Sequence, residues 1–200
     1  MQSRQVGGAH VRGARVAGAR GFTLIESMVV LLFVALLVTI GLPALQQMIH
    51  RSRLEGATRE CAVMCQRSRL ESIRQGMPVV VRFDTKDRTV ASWIDANGDG
   101  VQDPTETEIM VISLPGAVRF EGPPGLNPIE GFTTDPDGGW VTFQTDGSID
   151  FEGEVHFMDE RSNYLQLSLE PRATANVQVT KWDGTKWVSP GEGGKPWKWN

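Results

Sequence analysis

The residues best suited to metal chemistry form the acidic run "DANGDGVQDPTE", from Asp95 to Glu106. The run matches the calcium-loop pattern D-x-[DN]-x-[DN]-G-x5-E at every specified position. Three of its first five residues would offer side-chain oxygens, Glu106 would supply a bidentate carboxylate, and Gly100 would permit the sharp turn. The flanks are rich in β-forming residues rather than helical, and any tight hairpin loop also requires Asp, Asn and Gly. The pattern therefore leaves two readings open, a calcium site and a plain loop.

Histidine and cysteine do not combine into a catalytic pattern. His10, His50 and His156 fall in a basic leader, a predicted helix and a predicted strand, and no nucleophile–base arrangement can be built around them. Cys61 and Cys65 lie four residues apart in the predicted helix, a spacing that favours small apolar core residues over a disulfide. The sequence contains no CxxC pair and no Cys/His cluster. It predicts a protein that is not an enzyme, with no catalytic residue and no structural metal.

One acidic residue lies within a long apolar run. Between Phe22 and Leu42, Glu26 is the only ionisable side chain. A helix of about 20 apolar residues is long enough to span a bilayer, and a carboxylate at that depth costs about 2.5–3.5 kcal/mol. Residues 1–21 contain four arginines and no acidic residue, which predicts a cytoplasmic N-terminus. Residues 22–200 then carry a net charge of −8, which argues against nucleic acid as a partner.

The string "RGFTLIE" at the start of this run resembles the processing signal of type IV pilins and type II secretion pseudopilins. The resemblance implies that a prepilin peptidase cuts after Gly21 and that Phe22 is then N-methylated. It also places Pro43 where many members of the family have a helix-bending proline. Glu26 would meet the new Phe22 amine of a neighbouring subunit, a pairing that offsets most of the cost of burying either charge. The alternative is a carboxylate that snorkels to the membrane interface.

A second resemblance covers residues 59–114. The strings "RSRLESIRQGMPVVVRF" and "WIDANGDGVQDPTETEIMVISL" are similar to the GspH/FimT branch of minor pseudopilins. The resemblance implies a structural assembly subunit of the type II secretion pseudopilus, which acts in protein secretion across the outer membrane. Its partners would be the peptidase, other minor and major pseudopilins and the inner-membrane assembly platform. The alternative is a FimT-like minor pilin that primes a type IV pilus or serves DNA uptake.

The predicted fold is α+β and pilin-like, with a long N-terminal helix packed on an antiparallel sheet. We predict a cytoplasmic leader over residues 1–21, a transmembrane half-helix over 22–43, a periplasmic amphipathic half-helix over 44–76 and a β-rich globular domain over 77–200. Such a protein is a single-pass inner-membrane protein with a periplasmic domain. The helical stripe that should pack on the sheet consists of Leu54, Ala57, Cys61, Met64, Cys65 and Ser68.

The remaining elements follow from alternation and turn residues. Eight short β-rich runs are separated by turn-forming stretches, namely "PVVVRF", "TVASWI", "EIMVISL", "AVRF", "WVTF", "EVHFM", "YLQLSLE" and "NVQVTKW". The stretch "GPPGLNPIEGFTTDPDGG", residues 122–139, is predicted to be a surface loop. Trp187, Trp197 and Trp199 near the end of the chain predict a tail that docks on the sheet or on a partner.

Overall fold

The structure is a computed structural model that describes residues 22–191, without the side chains of 40, 43 and 44. The predicted leader, Gly21 included, lies outside the described residues, as do Trp197 and Trp199. The chain divides into two compact units, Met1–Pro43 and Ala44–Asn200.

A single long helix, α1, runs from Leu24 to Gln75. It ends one residue before the predicted bound at residue 76, because Gly76 follows with a φ of +64°. The N–H of Gly76 donates a hydrogen bond to the carbonyl oxygen of Ser72 at 3.0 Å. A glycine that adopts this left-handed conformation just after the last turn is a common helix stop, because it has no Cβ to clash.

Two antiparallel sheets follow the helix in the second unit. The strands are β1 Val79–Asp84, β2 Thr89–Ile94, β3 Glu108–Ser113, β4 Val118–Phe120, β5 Ile129–Glu130, β6 Thr133–Asp135, β7 Gly138–Phe143, β8 Gly153–Asp159, β9 Tyr164–Leu169, β10 Val177–Trp182 and β11 Trp187–Val188. The first sheet has the order β3-β2-β1-β7-β6, and the second has the order β11-β10-β9-β8-β4 with β5 also paired to β8. Each of the eight predicted β-rich runs overlaps a strand, and the predicted α+β class is confirmed.

The core of this unit lies between the helix and both sheets. All six residues of the predicted stripe are buried, each no more than 3% exposed. The five apolar ones pack in one cluster with strand residues of the first sheet, such as Phe83 and Val141, and of the second, such as Phe157 and Leu167. Burying a side chain the size of leucine, methionine or phenylalanine stabilises a fold by about 1.5–3 kcal/mol. The periodicity of the sequence thus identified the face of α1 that docks on the sheets.

The prediction of a surface loop over residues 122–139 is wrong in part. The segment contains β5, β6 and the first residues of β7, and the side chains of Ile129 and Phe132 are 7% and 6% exposed. The ring of Phe132 stacks on that of Phe83, with centroids 6.1 Å apart and planes 4° apart. Strands of two and three residues are too short to show an alternation of apolar and polar side chains. The glycines and prolines of the segment therefore led to the prediction of a loop.

Candidate functional site

The first turn of α1 contains the predicted assembly residue, Glu26, with an exposed side chain. Its backbone N–H donates a hydrogen bond to the Oγ1 of Thr23 at 3.3 Å, and the N–H of Ser27 donates to the carbonyl oxygen of Thr23 at 3.1 Å. Thr23 therefore occupies the N-cap position and Glu26 the third helical position, the order of a T-x-x-E capping box. A carboxylate in the first turn also interacts favourably with the helix dipole. The sequence contained this capping signal, but the prediction considered only assembly and snorkelling.

Apolar side chains cover the helix that follows Glu26. The large exposed ones in the first unit are Phe22, Leu24, Ile25, Met28, Val29, Val30, Leu31, Leu32, Phe33, Val34, Leu36, Leu37, Val38 and Leu42. Among the described residues, no helix has both the length and the hydropathy of a membrane span. The predicted bend at Pro43 concerns a side chain that lies outside the described residues.

The last turns of α1 contact a tight turn between β7 and β8. The Nε of Arg69 donates a hydrogen bond to the carbonyl oxygen of Gly147 at 2.9 Å. Gly147 has a φ of +80°, and a Cβ at this position would lie 2.7 Å from the Cδ1 of Ile73. Asp146 stabilises the same turn, because its carboxylate accepts hydrogen bonds from the hydroxyl and N–H of Ser148, which also lower the pKa of Asp146. The end of α1 is therefore held against the β7–β8 turn by the hydrogen bond from Arg69 and by the close contact between Gly147 and Ile73.

In the loop that matches the calcium pattern, the first and last carboxylates accept hydrogen bonds from backbone N–H groups of the same loop. Asp95 is 2% exposed and accepts hydrogen bonds from the N–H groups of Gly98 at 2.9 Å and Gly100 at 3.0 Å. Glu106 accepts from the N–H groups of Ala96 at 2.9 Å and of the aspartate at 103 at 3.0 Å. Within the part of the chain that the structure describes, no group of three or more His, Cys, Asp or Glu side chains is arranged to hold a metal ion. What the geometry shows is a loop closed by its own carboxylates between β2 and β3.

The two cysteines are free and buried in the core, which confirms their interpretation as small apolar core residues. Burial raises the pKa of both thiols, that of Cys65 to about 12. At neutral pH both are therefore protonated. A buried, protonated thiol is a poor nucleophile and a poor metal ligand.

One buried polar cluster was not found by sequence reasoning. His156 on β8 is fully buried, with its Nδ1 2.6 Å from the carbonyl oxygen of Asn127 and its Nε2 3.3 Å from the Oε1 of Glu154. Its ring stacks on that of Trp187 in β11, with centroids 5.1 Å apart and planes 2° apart. In the sequence "EVHFM" the histidine occupies an ordinary polar position of an alternating strand, which offers no signal of these contacts.

The described residues form an α+β protein in which a long helix packs its second half on two antiparallel sheets. Two solved structures of the minor pseudopilin EpsH from the type 2 secretion system of Vibrio cholerae are similar to it. The first is 10% identical in sequence, with a TM-score of 0.45. Its alignment covers 70% of this chain and 98% of the EpsH chain. The second is 9% identical in sequence, with a TM-score of 0.44. Its alignment covers 64% of this chain and 95% of the EpsH chain.

These structural neighbours are minor pseudopilins, the class of protein that the sequence resembles. At identities near 10% and TM-scores below 0.5, the likeness assigns no function to this chain. No protein-family model matches the chain, and no curated protein sequence matches it.

Proposed function

We propose that the chain is a pilin-like protein, a GspH-like minor pseudopilin of a type II secretion pseudopilus, processed after Gly21. The observation that carries this proposal is the string "GFTLIE" at the start of an apolar helix, with Glu26 as its one ionisable residue. The helix begins at Leu24, so cleavage would leave the amine of Phe22 two residues before its first residue. The protein is then a substrate of the peptidase and a structural subunit rather than a catalyst.

The exposed apolar side chains of the first unit support a place in the inner membrane. A contiguous apolar surface of this size is costly in water and is usually covered by lipid or by a partner. In the proposal, residues 22–43 cross the inner membrane and the arginines of the leader remain in the cytoplasm. The β-rich part then lies in the periplasm, where it contacts other minor and major pseudopilins, while the inner-membrane platform assembles them.

Glu26 acts in assembly through its charge. The carboxylate is exposed and makes no ion pair with the described residues of its own chain. Cleavage creates one positive charge at Phe22, and an axial stagger between subunits would bring this amine to a neighbour's Glu26. Paired charges lose most of the penalty that either would incur alone in a low-dielectric environment.

Processing is tested by co-expression with a prepilin peptidase and intact-mass analysis of the purified protein. The proposal requires a chain that begins at N-methylated Phe22 and is retained in the membrane fraction. A chain that keeps residues 1–21, or is cut elsewhere, would contradict it.

The assignment to a secretion system rather than to a pilus is tested by complementation in two strains. One strain lacks its minor pseudopilins, and the other lacks its minor pilins. Restored secretion of a reporter enzyme by this chain supports the type II assignment. Restored piliation, or retardation of DNA by the purified protein at physiological salt, would instead favour the FimT-like alternative. The net charge of −8 on residues 22–200 leads us to expect no retardation.

A further inference from the structure

The loop between β2 and β3 contains an asparagine followed by a glycine, Asn97 and Gly98. Such a pair is chemically labile, because the backbone nitrogen of the glycine can attack the side-chain amide and no Cβ obstructs it. A bond then forms between the nitrogen of Gly98 and the Cγ of Asn97, and the Nδ2 leaves as ammonia with the proton that Gly98 loses. Water opens the resulting cyclic imide to aspartate or isoaspartate. The side chain of Asn97 is exposed, so water can reach it.

The attacking nitrogen is restrained by a hydrogen bond. The N–H of Gly98 donates to the Oδ1 of Asp95 at 2.9 Å, and the same carboxylate accepts from the N–H of Gly100 at 3.0 Å. The nitrogen must lose this hydrogen before it can attack, and a negative charge beside it disfavours the nitrogen anion. Asp95 is 2% exposed, so breaking its hydrogen bonds leaves a buried carboxylate without its donors. Asp95 therefore opposes the reaction while the loop is closed.

The side-chain amide of Asn97 is restrained as well. Its Oδ1 accepts a hydrogen bond from the N–H of Asp99 at 3.0 Å. Its Nδ2 donates to the Oδ2 of Asp99 at 3.0 Å and to the Oδ2 of Asp103 at 3.1 Å. The Cγ can turn toward the nitrogen of Gly98 only when these hydrogen bonds break. The closed loop thus restrains both the attacking nitrogen and the leaving nitrogen.

The contacts of the Asn97 side chain become unfavourable once ammonia is lost. The Nδ2 is the donor in both of its contacts, and in aspartate an oxygen that can only accept takes its place. Three carboxylates, those of residue 97, Asp99 and Asp103, then face one another, and like charges repel at such distances. The product loop therefore closes less firmly than the original one.

We propose that Asn97 is a modification site that the closed loop protects, and that loss of ammonia there weakens the closure of the loop. Loops open locally at a much lower free energy than the whole domain unfolds. The rate of modification therefore follows the opening of this loop, with Asp95 as the residue that opposes it. Because the released ammonia is not regained, the converted fraction records how long the loop has been open.

The test compares the detergent-solubilised full-length chain at pH 8 in two states, folded and unfolded in guanidinium chloride. Peptide mapping by mass spectrometry follows the conversion of Asn97 with time. We expect conversion to be about tenfold slower in the folded chain, or slower still, because only molecules with an open loop react. Equal rates in the two states overturn the proposal.

Two variants separate protection by Asp95 from a general effect of stability. Asp95→Ala releases the N–H of Gly98 and should bring conversion in the folded chain close to the unfolded rate. The matched control is Gly147→Ala, which strains the β7–β8 turn and leaves the hydrogen bond between Gly98 and Asp95 in place, so its rate should stay near that of the wild type. Equal acceleration in both variants, or in neither, contradicts the proposal. If Asp95→Ala fails to fold, the comparison of the folded and unfolded wild type still decides.

The effect of the modification on the loop is tested with Asn97→Asp, which reproduces one of the products. Amide hydrogen exchange at Gly98 and Gly100, corrected for intrinsic rates, should be about threefold faster than in the wild type. Asn97→Ala removes the donor without adding a charge, and its exchange should lie between the two. Exchange in Asn97→Asp as slow as in the wild type would overturn the weakened closure.

Discussion

The hydroxyl oxygen of Thr23 accepts a hydrogen bond from the backbone N–H of Glu26 at 3.3 Å, so the predicted assembly residue also belongs to the cap of its own helix. The two roles use different atoms. The cap uses the N–H of Glu26, which every residue except proline has, whereas assembly would use the carboxylate. Substitutions can therefore separate them.

We predict that Glu26→Leu is inserted and cleaved normally but assembles poorly. The helix becomes more apolar and Gly21 is unchanged, while the Phe22 amine of a neighbour loses the partner that we propose for it. Removing one member of a buried ion pair typically costs about 3–5 kcal/mol, or roughly a hundredfold or more in an association constant. Crosslinking to partner pseudopilins in membranes measures the effect.

Glu26→Gln and Thr23→Ala are the matched controls for this substitution. Glutamine is also accepted at the third position of a capping box, so Glu26→Gln keeps the cap and removes only the charge. Thr23→Ala removes the cap, at a cost of about 0.5–2 kcal/mol, and keeps the charge. We expect Glu26→Gln to assemble as poorly as Glu26→Leu, and Thr23→Ala to assemble well. Full assembly of Glu26→Gln would show that Glu26 is only a snorkelling carboxylate.

Processing should depend on Gly21. In the proposed cleavage the peptidase approaches the backbone at Gly21 closely, and glycine has no Cβ to obstruct it. We predict that Gly21→Val accumulates as a longer, membrane-bound precursor when it is co-expressed with the peptidase. An immunoblot distinguishes the precursor from the mature chain, and normal cleavage of the variant would contradict the prediction.

Gly147→Ala should weaken the docking of α1 on the β7–β8 turn. The substitution places a Cβ against Ile73 and Arg69 and forces alanine into a left-handed conformation, which itself costs about 1–2 kcal/mol. The control is Gly98→Ala, which has a similar φ of +77° and no atom within 4 Å of the added Cβ. Urea denaturation should therefore show a larger loss of unfolding free energy for Gly147→Ala. Equal losses would mean that the contact with the helix contributes nothing.

The two cysteines should be unreactive in the native protein. Burial raises the pKa of both thiols, so the reactive thiolate is scarce at pH 8. We predict that a thiol reagent labels neither Cys61 nor Cys65 until denaturant is added, and then labels both. Native labelling at either position, read by mass spectrometry of the peptides, would place that side chain outside the core.

The loop from Asp95 to Glu106 should be stabilised by its own hydrogen bonds rather than by calcium. Asp95→Ala leaves the N–H groups of Gly98 and Gly100 without their charged acceptor, and a hydrogen bond to a charged group contributes about 1.5–3 kcal/mol. We predict a lower melting temperature for this variant. Addition of calcium or EDTA to the wild type should change nothing. A calcium-dependent rise in melting temperature that disappears in Glu106→Gln would establish the metal site instead.

Local patterns in the sequence were enough to predict the elements that repeat regularly. The existence of α1 follows from a stripe of period 3.6, and its end at Gln75 follows from the glycine at position 76. The strand at "VVVRF" follows from its β-branched residues. The burial of Cys61 and Cys65 follows from their spacing on one helical face. These predictions succeed because helix periodicity and strand composition depend on residues close together in the chain.

Tertiary structure decided the features that depend on distant partners. β5 and β6 are strands only because β8 and β7 lie beside them, and their two or three residues carry no pattern of their own. The Nδ1 of His156 meets the carbonyl of Asn127, 29 positions earlier in the chain, and its ring meets Trp187 from another strand. The carboxylates of Asp95 and Glu106 match a calcium pattern by type and spacing, yet their direction is fixed by the path of the loop between β2 and β3. Spacing along the chain determines which residue types are available, and only packing determines which atoms they face.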